Sequence, residues 1–394
     1  MERAVLSLKP LFIKFFKLGA TAYGGPAMIG QIKQTIVNER NWIKEEEFLK
    51  GLGLCQLIPG ATMVQMVTYI GYRLRGIRGA LISAIAFILP AFLSLLILSS
   101  IYFKIQTHWL IQALFKGSGA MVVALVLNAG ITLGKSILKD WKVILICVLS
   151  FFGFLFRWNI LLIFLFASMA AILLYRQIPS KEISAPEGFE QKGVKKEDYL
   201  FAGMLVLFIA AGLVISHLFD PLLASLFLRL SKIGALAFGG GYTAIPLIQY
   251  EVVDRFEWLT TKEFLDGIAM GQVTPGPILI TATFIGFKLS GLLGALVATV
   301  GIFSSSFFIL VLFIPYYDRL RKRKVVKVVE RGILASFIAM LGLVLFNFGR
   351  TAFVDLPSVI LSAATFFALL KKIPLPYILL SGGILSVIIF GLLK

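Results

Sequence analysis

The sequence predicts an all-helical polytopic membrane protein with about thirteen transmembrane segments, arranged as two homologous halves of inverted topology with broken or re-entrant helices. Three observations support this fold class. Apolar residues occupy 59% of the 394 positions and charged residues 15%, against about 25% charged in a typical soluble domain. A long segment near the start of the chain returns 216 positions later. An odd number of apolar segments separates the two copies, so the second copy should enter the membrane from the opposite side.

The repeat is long and in register. ERNWIKEEEFLKGLGLCQLIPG, which ends at Gly60, matches DRFEWLTTKEFLDGIAMGQVTPG, which ends at Gly276. Upstream, FIKFFKLGATAYGG (12–25) matches FLRLSKIGALAFGG (227–240), and downstream GYRLRGIRGAL (71–81) matches GFKLSGLLGAL (286–296). A repeat of this length is half a protein rather than one unit of a solenoid.

The apolar segments should be helices, because unpaired backbone N–H and C=O groups are costly in lipid. The first copy begins with a pair of segments, roughly 8–37 and 48–72, and four ordinary spans follow to residue 175. One more span precedes the second copy, which repeats the same six segments. Seven segments therefore separate the start of the first copy from the start of the second. If both members of the opening pair are re-entrant, five crossings remain, and the number is still odd. Long apolar runs such as 79–103, 143–156, 160–175, 199–218 and 292–316 are mostly long enough to cross the hydrocarbon layer.

The chain divides into two repeats joined by one polar segment. Residues 176–198 are mixed in charge and lack an apolar face, which favours a linker over a folded domain. The amino terminus does not resemble a cleavable signal peptide, because Lys14 and Lys17 interrupt its first apolar stretch. The predicted domains are a first transporter repeat at 1–175, a cytoplasmic linker at 176–198, a connecting transmembrane helix at 199–220 and a second, inverted repeat at 221–394.

The basic residues predict the orientation, because short cytoplasmic loops of membrane proteins are rich in Lys and Arg. If successive segments cross the membrane in alternating directions, the loops on one side contain all the basic stretches, at 73–78, 135–142, 176–198, 319–327 and 371–372. We therefore expect a multi-pass protein of the plasma (inner) membrane with a cytoplasmic amino terminus. The net charge of +18 partly reflects this asymmetry, and no nucleic-acid-binding module accompanies it.

Four helix-breaking motifs lie inside apolar segments, in two pairs related by the repeat. Proline removes an amide donor and glycine permits a sharp turn, so each motif can end one half-helix and start another. The amino terminus of a half-helix exposes N–H groups and a partial positive charge, which together bind anions. A packing hinge is the alternative for any single motif. The candidate substrate-binding residues in these motifs are Gly24, Gly25, Pro26, Pro59, Gly60, Gly239, Gly240, Gly241, Pro275 and Gly276.

Cationic and polar side chains near the breaks favour an anionic cargo. Lys14 and Lys17 correspond to Arg229 and Lys232, and Arg73 corresponds to Lys288. Cationic side chains inside a membrane often have a functional role, although those near helix ends can instead extend to the membrane–water interface. Bonding to a neighbouring helix is the alternative for the uncharged residues. The candidate substrate-binding side chains are Lys17, Lys232, Arg73, Lys288, Gln56, Gln272, Thr62, Thr243 and Thr274.

At these residues the chain resembles the chromate ion transporter family, in its long-chain two-domain form. The motifs are TAYGGPA (21–27), WIKEEEF (42–48), QLIPGA (56–61) and GYRLRG (71–76), with FGGGY, WLTTKEF, QVTPGP and GFKLSG in the second copy. The resemblance implies transport of chromate, an oxyanion shaped like sulfate, and export that confers resistance. Ala61, Gly241 and Ser305 depart from the motif residues or from the other copy, which argues against equal contributions from the two halves.

A dianion that leaves a cell with a negative interior gains roughly 4 to 5 kcal/mol at 100 mV, so membrane potential could drive export without protons. Proton coupling is the alternative, and Glu47 with Glu263 are its duplicated candidates. Glu39 with Arg40, and Asp254 with Arg255, are candidates for gating ion pairs or for interfacial salt bridges.

Other functions fit less well. A membrane enzyme acting on lipid phosphates would need clustered carboxylates or histidines, and His108 and His217 are unduplicated and lie at span edges. A passive anion channel, or a carrier of sulfate or another oxyanion, remains open. We expect no enzymatic activity, no cofactor and no metal. The expected partners are a small inorganic oxyanion and the lipid bilayer, with a homodimer left open and no nucleic acid.

Overall fold

The computed structural model describes residues 7–23, 25–176, 220–317 and 323–392, together with scattered positions between 203 and 218. The predicted linker and most of the predicted connecting helix at 199–220 lie outside these residues, as do Gly24, His217 and the basic positions 319–322.

Helices form all the regular structure within the described residues, as the composition predicts. The first half contains α1 (Leu8–Thr21), α2 (Gly25–Lys33), α3 (Glu45–Leu57), α4 (Thr62–Ile105), α5 (Trp109–Ile137), α6 (Trp141–Leu155) and α7 (Ile160–Leu174). The second half contains α8 (Pro221–Leu236), α9 (Gly241–Ile248), α10 (Thr261–Val273), α11 (Thr281–Phe313), α12 (Lys324–Ala352), α13 (Leu356–Leu370) and α14 (Leu375–Val387). Shorter π-helical and 3₁₀ turns extend some of these helices at Gln34–Glu39, Gln249–Arg255, Ile278–Ile280, Ile314–Tyr316 and Ile388–Leu392.

The duplication extends to the helix boundaries. Helix α5 begins at Trp109 and α12 at Lys324, which is 215 positions later, and α6 and α13 keep the same spacing. The helix starts have local causes that are also duplicated. Asp140 caps α6 by accepting a hydrogen bond from the Val143 N–H, and its equivalent Asp355 caps α13.

Helices α4 and α11 each reverse direction at one break. In α4, Arg75 and Gly76 leave the helical region, and Gly76 has a φ of 60°. After this break the chain folds back so closely that a Cβ added at Gly79 would lie 2.2 Å from the carbonyl oxygen of Gly71. In a straight helix those two residues would be about 12 Å apart. Ser290 and Gly291 form the equivalent break in α11. We call the parts before and after each break α4a (62–74) and α4b (77–105), and α11a (281–289) and α11b (292–313).

The segments α3 and α4a form an antiparallel helical hairpin, here called hairpin B1, with its tip at Gly60. Gly51 packs on the Tyr69 ring, and further from the tip Glu47 pairs with Arg73. Helix α3 has 13 residues and is about 20 Å long, less than the ~30 Å of a bilayer core. Hairpin B1 is therefore re-entrant. Helices α10 and α11a form the equivalent hairpin B2.

The opening helices of each half form a second hairpin. Near its tip, Gln31 of α2 donates a hydrogen bond to Thr21 of α1, and toward its base the Phe15 ring meets the Trp42 ring edge-on. We call the α1–α2 pair hairpin A1 and the α8–α9 pair hairpin A2. Each half thus has the six predicted segments, of which the first two are hairpins and the last four are helices: α4b to α7, and α11b to α14.

The two B hairpins enter from opposite sides of the protein, as inverted halves require. Helix α4b starts beside the base of B1, where Gly79 meets Gly71. Its middle passes the tip of B2, where Ala91 contacts Gly276. Its end reaches toward the base of B2, where the Tyr102 hydroxyl donates to Asp266 at 2.7 Å. The bases of B1 and B2 therefore lie at opposite ends of one helix about 43 Å long.

The helices that follow the hairpins have the length and composition of membrane spans. Within the described ranges, four helical stretches are long and apolar enough to cross a membrane: Trp109–Ile137, Val325–Ala352, and Thr62–Ile105 and Ile278–Tyr316, each of which also includes the hairpin arm before its break. Four shorter apolar helices accompany them: Trp141–Leu155, Ile160–Leu174, Leu356–Leu370 and Leu375–Gly391.

The close approach in α11 predicts a strong effect of a single methyl group. A Cβ added at Gly294 would lie 2.1 Å from the carbonyl oxygen of Gly286, and backbone cannot move aside as a side chain can. We expect Gly294→Ala to cost about 1–3 kcal/mol or more of stability. Gly342→Ala is the matched control, because nothing lies within 4 Å of its added Cβ. Thermal unfolding in detergent checks this, and equal midpoints for the two variants would contradict the predicted packing.

A candidate anion site at the hairpin tips

Each B hairpin is fastened at its tip to the A hairpin of the other half. The Gly60 N–H in B1 donates to the carbonyl of Ala237 in A2 at 2.8 Å. The Gly276 N–H in B2 donates to the carbonyl of Ala22 in A1, also at 2.8 Å. These two hydrogen bonds are equivalent under the repeat. Since Gly276 contacts the middle of α4b, the tips meet at mid-height of the protein.

Glycine is required at the B tips for two reasons. Gly60 and Gly276 have φ values of 135° and 115°, which other residues rarely adopt. A Cβ at Gly60 would also lie 2.3 Å from Nε2 of Gln65, and a Cβ at Gly276 would lie 2.6 Å from the Ala91 Cβ. The Pro-Gly motifs that the sequence singles out at 59–60 and 275–276 thus permit backbone contact between the halves.

Helices from both halves begin immediately after the tips. Gly25 starts α2 and Gly241 starts α9, while Thr62 starts α4 and a 3₁₀ turn at Ile278 leads into α11. The first N–H groups of a helix have no partner within it and carry a partial positive charge. Beside one of these starts the space is open, since nothing lies within 4 Å of a Cβ built at Gly240. The breaks therefore bring amide dipoles of both halves toward mid-height, which suits an anion.

The predicted polar residues differ in burial and in whether their side chains already have hydrogen-bond partners. Thr243 donates to the carbonyls of Phe238 and Gly240, and Thr274 donates to that of Gly271, so both serve their own turns. Gln272 is buried and its Nε2 has no partner among the described residues, which makes it the best donor of the predicted set. Gln56 is exposed and Thr62 half-buried.

The duplicated cations have different surroundings. Lys232 lies 2.5 Å from Glu251, whose side chain is 2% exposed, whereas Lys17 is exposed and has no ion pair within the described part of the chain. Arg229 packs over the Phe256 ring, and Lys14 lies 3.9 Å from Glu39. Sequence duplication of these cations therefore does not extend to their electrostatic partners.

The structure does not bring Arg73 and Lys288 to the tips. Arg73 lies 2.7 Å from Glu47, which also accepts a hydrogen bond from Tyr69, and Lys288 lies 2.5 Å from Glu263. Both pairs lie near hairpin bases, about 18 Å from the tips along the helix axis. These ion pairs form because residues equally far from the tip face each other on the antiparallel arms of a hairpin. The two carboxylates expected to couple protons thus serve as partners of the two cations expected to bind substrate.

The predicted gating pairs are not formed. Glu39 pairs with Lys14, and Arg255 lies 3.5 Å from Glu251. Asp254 accepts a hydrogen bond from Gln249 at 3.1 Å, and Arg40 is exposed. Adjacent residues on a helix point in different directions, so neighbours in sequence rarely pair with each other.

Sequence reasoning missed a second duplicated cluster. Lys116 of α5 lies 2.5 Å from Asp355 and above the Phe390 ring, and the equivalent Arg331 of α12 interacts with Asp140 and lies above the Tyr175 ring. Burial acts to raise the pKa of Asp355, but hydrogen bonds from Lys116 and Ser358 outweigh it and lower the pKa. The 215-residue spacing of these pairs was the available signal.

A cavity of about 430 Å³ lies apart from the tips, toward the base of B2. Lys116, Lys262 and Asp266 are its charged lining residues, with Gln112 and Trp109 beside them. Asp266 is occupied by the Tyr102 hydroxyl. No group of three or more His, Cys, Asp or Glu residues that could hold a metal ion occurs within the described ranges.

Comparison with known proteins gives one consistent family. A family model described as "Chromate transporter" matches residues 9–173 and 224–387, which correspond to the two halves. An uncharacterised transporter of Methanocaldococcus jannaschii is 32% identical over 96% of this chain and 94% of its own length. Chromate transport proteins of Cupriavidus metallidurans and Pseudomonas aeruginosa are 28% and 29% identical over 98% of this chain, and over 94% and 93% of their own lengths. No solved structure matches the chain significantly.

The tip contact predicts a compensating pair of mutations. Gly276→Ala adds both backbone strain, about 1–3 kcal/mol, and a clash with Ala91, so it should destabilise the protein more than Gly240→Ala. The control has a similar φ of 110° but open space around its Cβ. Replacing Ala91 by Gly should restore part of the stability of Gly276→Ala and none of that of Gly240→Ala. Thermal unfolding of the single and double variants measures this, and the absence of rescue would contradict the contact.

Proposed function

Because the chain belongs to the chromate transporter family, we propose that it carries chromate, or another tetrahedral divalent oxyanion, across the membrane. The names of the relatives in Cupriavidus metallidurans and Pseudomonas aeruginosa support chromate as the cargo. The full-length similarity to them supports a carrier made of both halves. Chromate and sulfate share charge and geometry, so the same site chemistry suits either.

The observation that carries this proposal is the reciprocal tip contact, Gly60 to Ala237 and Gly276 to Ala22. It brings together the tips of four hairpins, which enter from opposite sides, at mid-height of the protein. Transporters with inverted repeats bind substrate at this depth, between discontinuous helices whose amino termini point at anionic groups. We assign three of the predicted donors to the oxyanion: Nε2 of Gln272, which has no partner among the described residues, and the ammonium groups of Lys17 and Lys232. Lys232 also pairs with Glu251 at 2.5 Å.

The orientation follows from the loops. The loop between α5 and α6 carries Lys139, and the equivalent position before α13 is Val354. Basic residues accumulate in loops that the inverted topology places on one side, which favours a cytoplasmic amino terminus. We place the protein in the plasma membrane, where this charge bias would orient it.

The membrane potential is the simplest energy source for export. A dianion leaving a negative interior gains roughly 4 to 5 kcal/mol at 100 mV. The duplicated carboxylates that are candidates for proton coupling, Glu47 and Glu263, are paired with Arg73 and Lys288. Membrane potential therefore supplies a driving force that needs neither of them.

Anion-dependent stabilisation of the purified protein tests cargo and site together. Chromate, sulfate, molybdate and phosphate are compared at constant ionic strength, because sulfate also stabilises proteins non-specifically. A ligand at 100 times its Kd stabilises by about 2.7 kcal/mol, so chromate should raise the unfolding midpoint clearly. Lys232→Met and Lys17→Met should reduce this shift. Equal shifts in wild type and both variants would remove these lysines from the site.

Flux in proteoliposomes tests the driving force. We expect chromate uptake when the vesicle interior is made positive with no pH gradient, and uptake should grow with the imposed potential because two negative charges move per ion. Vesicles without protein provide the control. Uptake that requires a pH gradient and ignores the potential would exclude the voltage-driven scheme while leaving chromate as cargo.

A further inference from the structure

We propose that Glu251 is a built-in counter-ion of the transport site: its carboxylate holds Lys232 when no oxyanion is bound, and the oxyanion binds by taking its place. This inference rests on the proposed function and adds a residue to the same site. Glu251 is absent from the motifs that the sequence singles out.

The geometry around Glu251 is that of an incompletely satisfied buried anion. Its side chain is 2% exposed, with Oε1 2.5 Å from the Lys232 ammonium and 3.5 Å from Nη1 of Arg255. Its second oxygen, Oε2, is buried without a hydrogen-bond partner among the described residues, and so is Nε of the nearby Arg229. Buried polar atoms are nearly always paired, so each such exception calls for a physical cause.

Two cations of hairpin A2, Lys232 and Arg255, share the carboxylate of Glu251. Lys232 and Arg229 come from α8, and Arg255 from the extension of α9. The second carboxylate here, Asp254, is bonded to Gln249 instead. Within the described residues, Lys232 and Arg255 therefore depend on one paired carboxylate, and an arriving dianion would add negative charge beside them.

Lys232 is suited to exchange one anion for another. A lysine ammonium is a point charge with three rotatable donors, so it can bind a carboxylate or a tetrahedral oxyanion without a fixed geometry. Its side chain is 28% exposed, so it can be reached from outside the hairpin. Along the α8 axis it lies only about 7.5 Å from Ala237, the residue whose carbonyl fastens the tips.

The other half shows that the hairpin does not need this ion pair to fold. The repeat places Thr35 or Ile36 where the second half has Glu251, and both are buried. Hairpin A1 is thus built without a carboxylate at this position, and Lys17 lies exposed. A pair that served only packing would be expected in both hairpins, whereas a counter-ion for a single substrate site is needed once.

A counter-ion also solves a problem of the transport cycle. An empty carrier must return through the low-dielectric interior, and an uncompensated buried charge there is strongly destabilising. With Glu251 in place, Lys232 is neutralised when the site is empty. With the oxyanion bound, the anion neutralises Lys232 instead, and Glu251 keeps Arg255, 3.5 Å away, as its partner.

The test is a chromate titration of the detergent-purified full-length protein at constant ionic strength, followed by the thermal unfolding midpoint. Removing the competitor with Glu251→Gln should lower the apparent Kd for chromate by about fivefold or more, the usual range for coupled sites, while lowering the midpoint without anion. Asp355→Asn is the matched control. It takes a carboxylate from a lysine, Lys116, at the same 2.5 Å distance and should lower the midpoint without changing the Kd.

The outcomes are distinct. An unchanged or weaker Kd in Glu251→Gln, with chromate binding intact in the wild type, overturns the counter-ion and leaves the proposed function standing. Absence of binding in the wild type overturns the proposed function itself. If Glu251→Gln does not fold, Glu251→Asp replaces it: the shorter carboxylate holds Lys232 less well and should bind chromate more tightly than the wild type, and equal affinity again overturns the proposal.

Discussion

Backbone groups exposed by broken helices must find partners inside the membrane, and this constraint governs the whole structure. Lipid offers no hydrogen bonds, so irregular backbone at this depth is tolerated only where protein or a water-filled cavity surrounds it. The chain meets the requirement by exchange between its halves: Gly60 bonds to Ala237, and Gly276 bonds to Ala22. Neither half can complete its own tips, so the candidate site exists only where the two inverted copies meet.

Close backbone approach makes this exchange geometrically feasible. Hairpin A1 meets α4b where a Cβ on Gly19 would lie 2.2 Å from the Phe87 carbonyl, and A2 meets α11b in the same way through Gly234 and Ile302. In lipid, where apolar side chains gain little by clustering, small residues promote helix association by allowing dense packing. The hairpins are therefore set against the long helices by glycine, and the tips are brought to the middle of those helices as a consequence.

Symmetry of the backbone coexists with asymmetry of charge. The helix boundaries and backbone breaks repeat almost without change, yet Asp266 in B2 corresponds to Lys50 in B1, and Glu251 has no acidic equivalent. The motif departures at Ala61 and Gly241 already indicated unequal halves. The proposed site would hold one ion between the two halves, so the two copies can keep a common fold while their side chains take different roles around it.

The sequence by itself determined the helical class, the duplication, the positions of the four breaks and, through an odd number of segments, the inversion. These properties depend on local composition or on counting, and they survive any choice of packing. Only the tertiary structure decided that the opening segments are hairpins, that Arg73 and Lys288 pair with Glu47 and Glu263 at the bases, and that Lys232 meets Glu251. Such pairings depend on how each helix is rotated about its axis and on which tip meets which, and those are set by contacts between residues far apart in the chain.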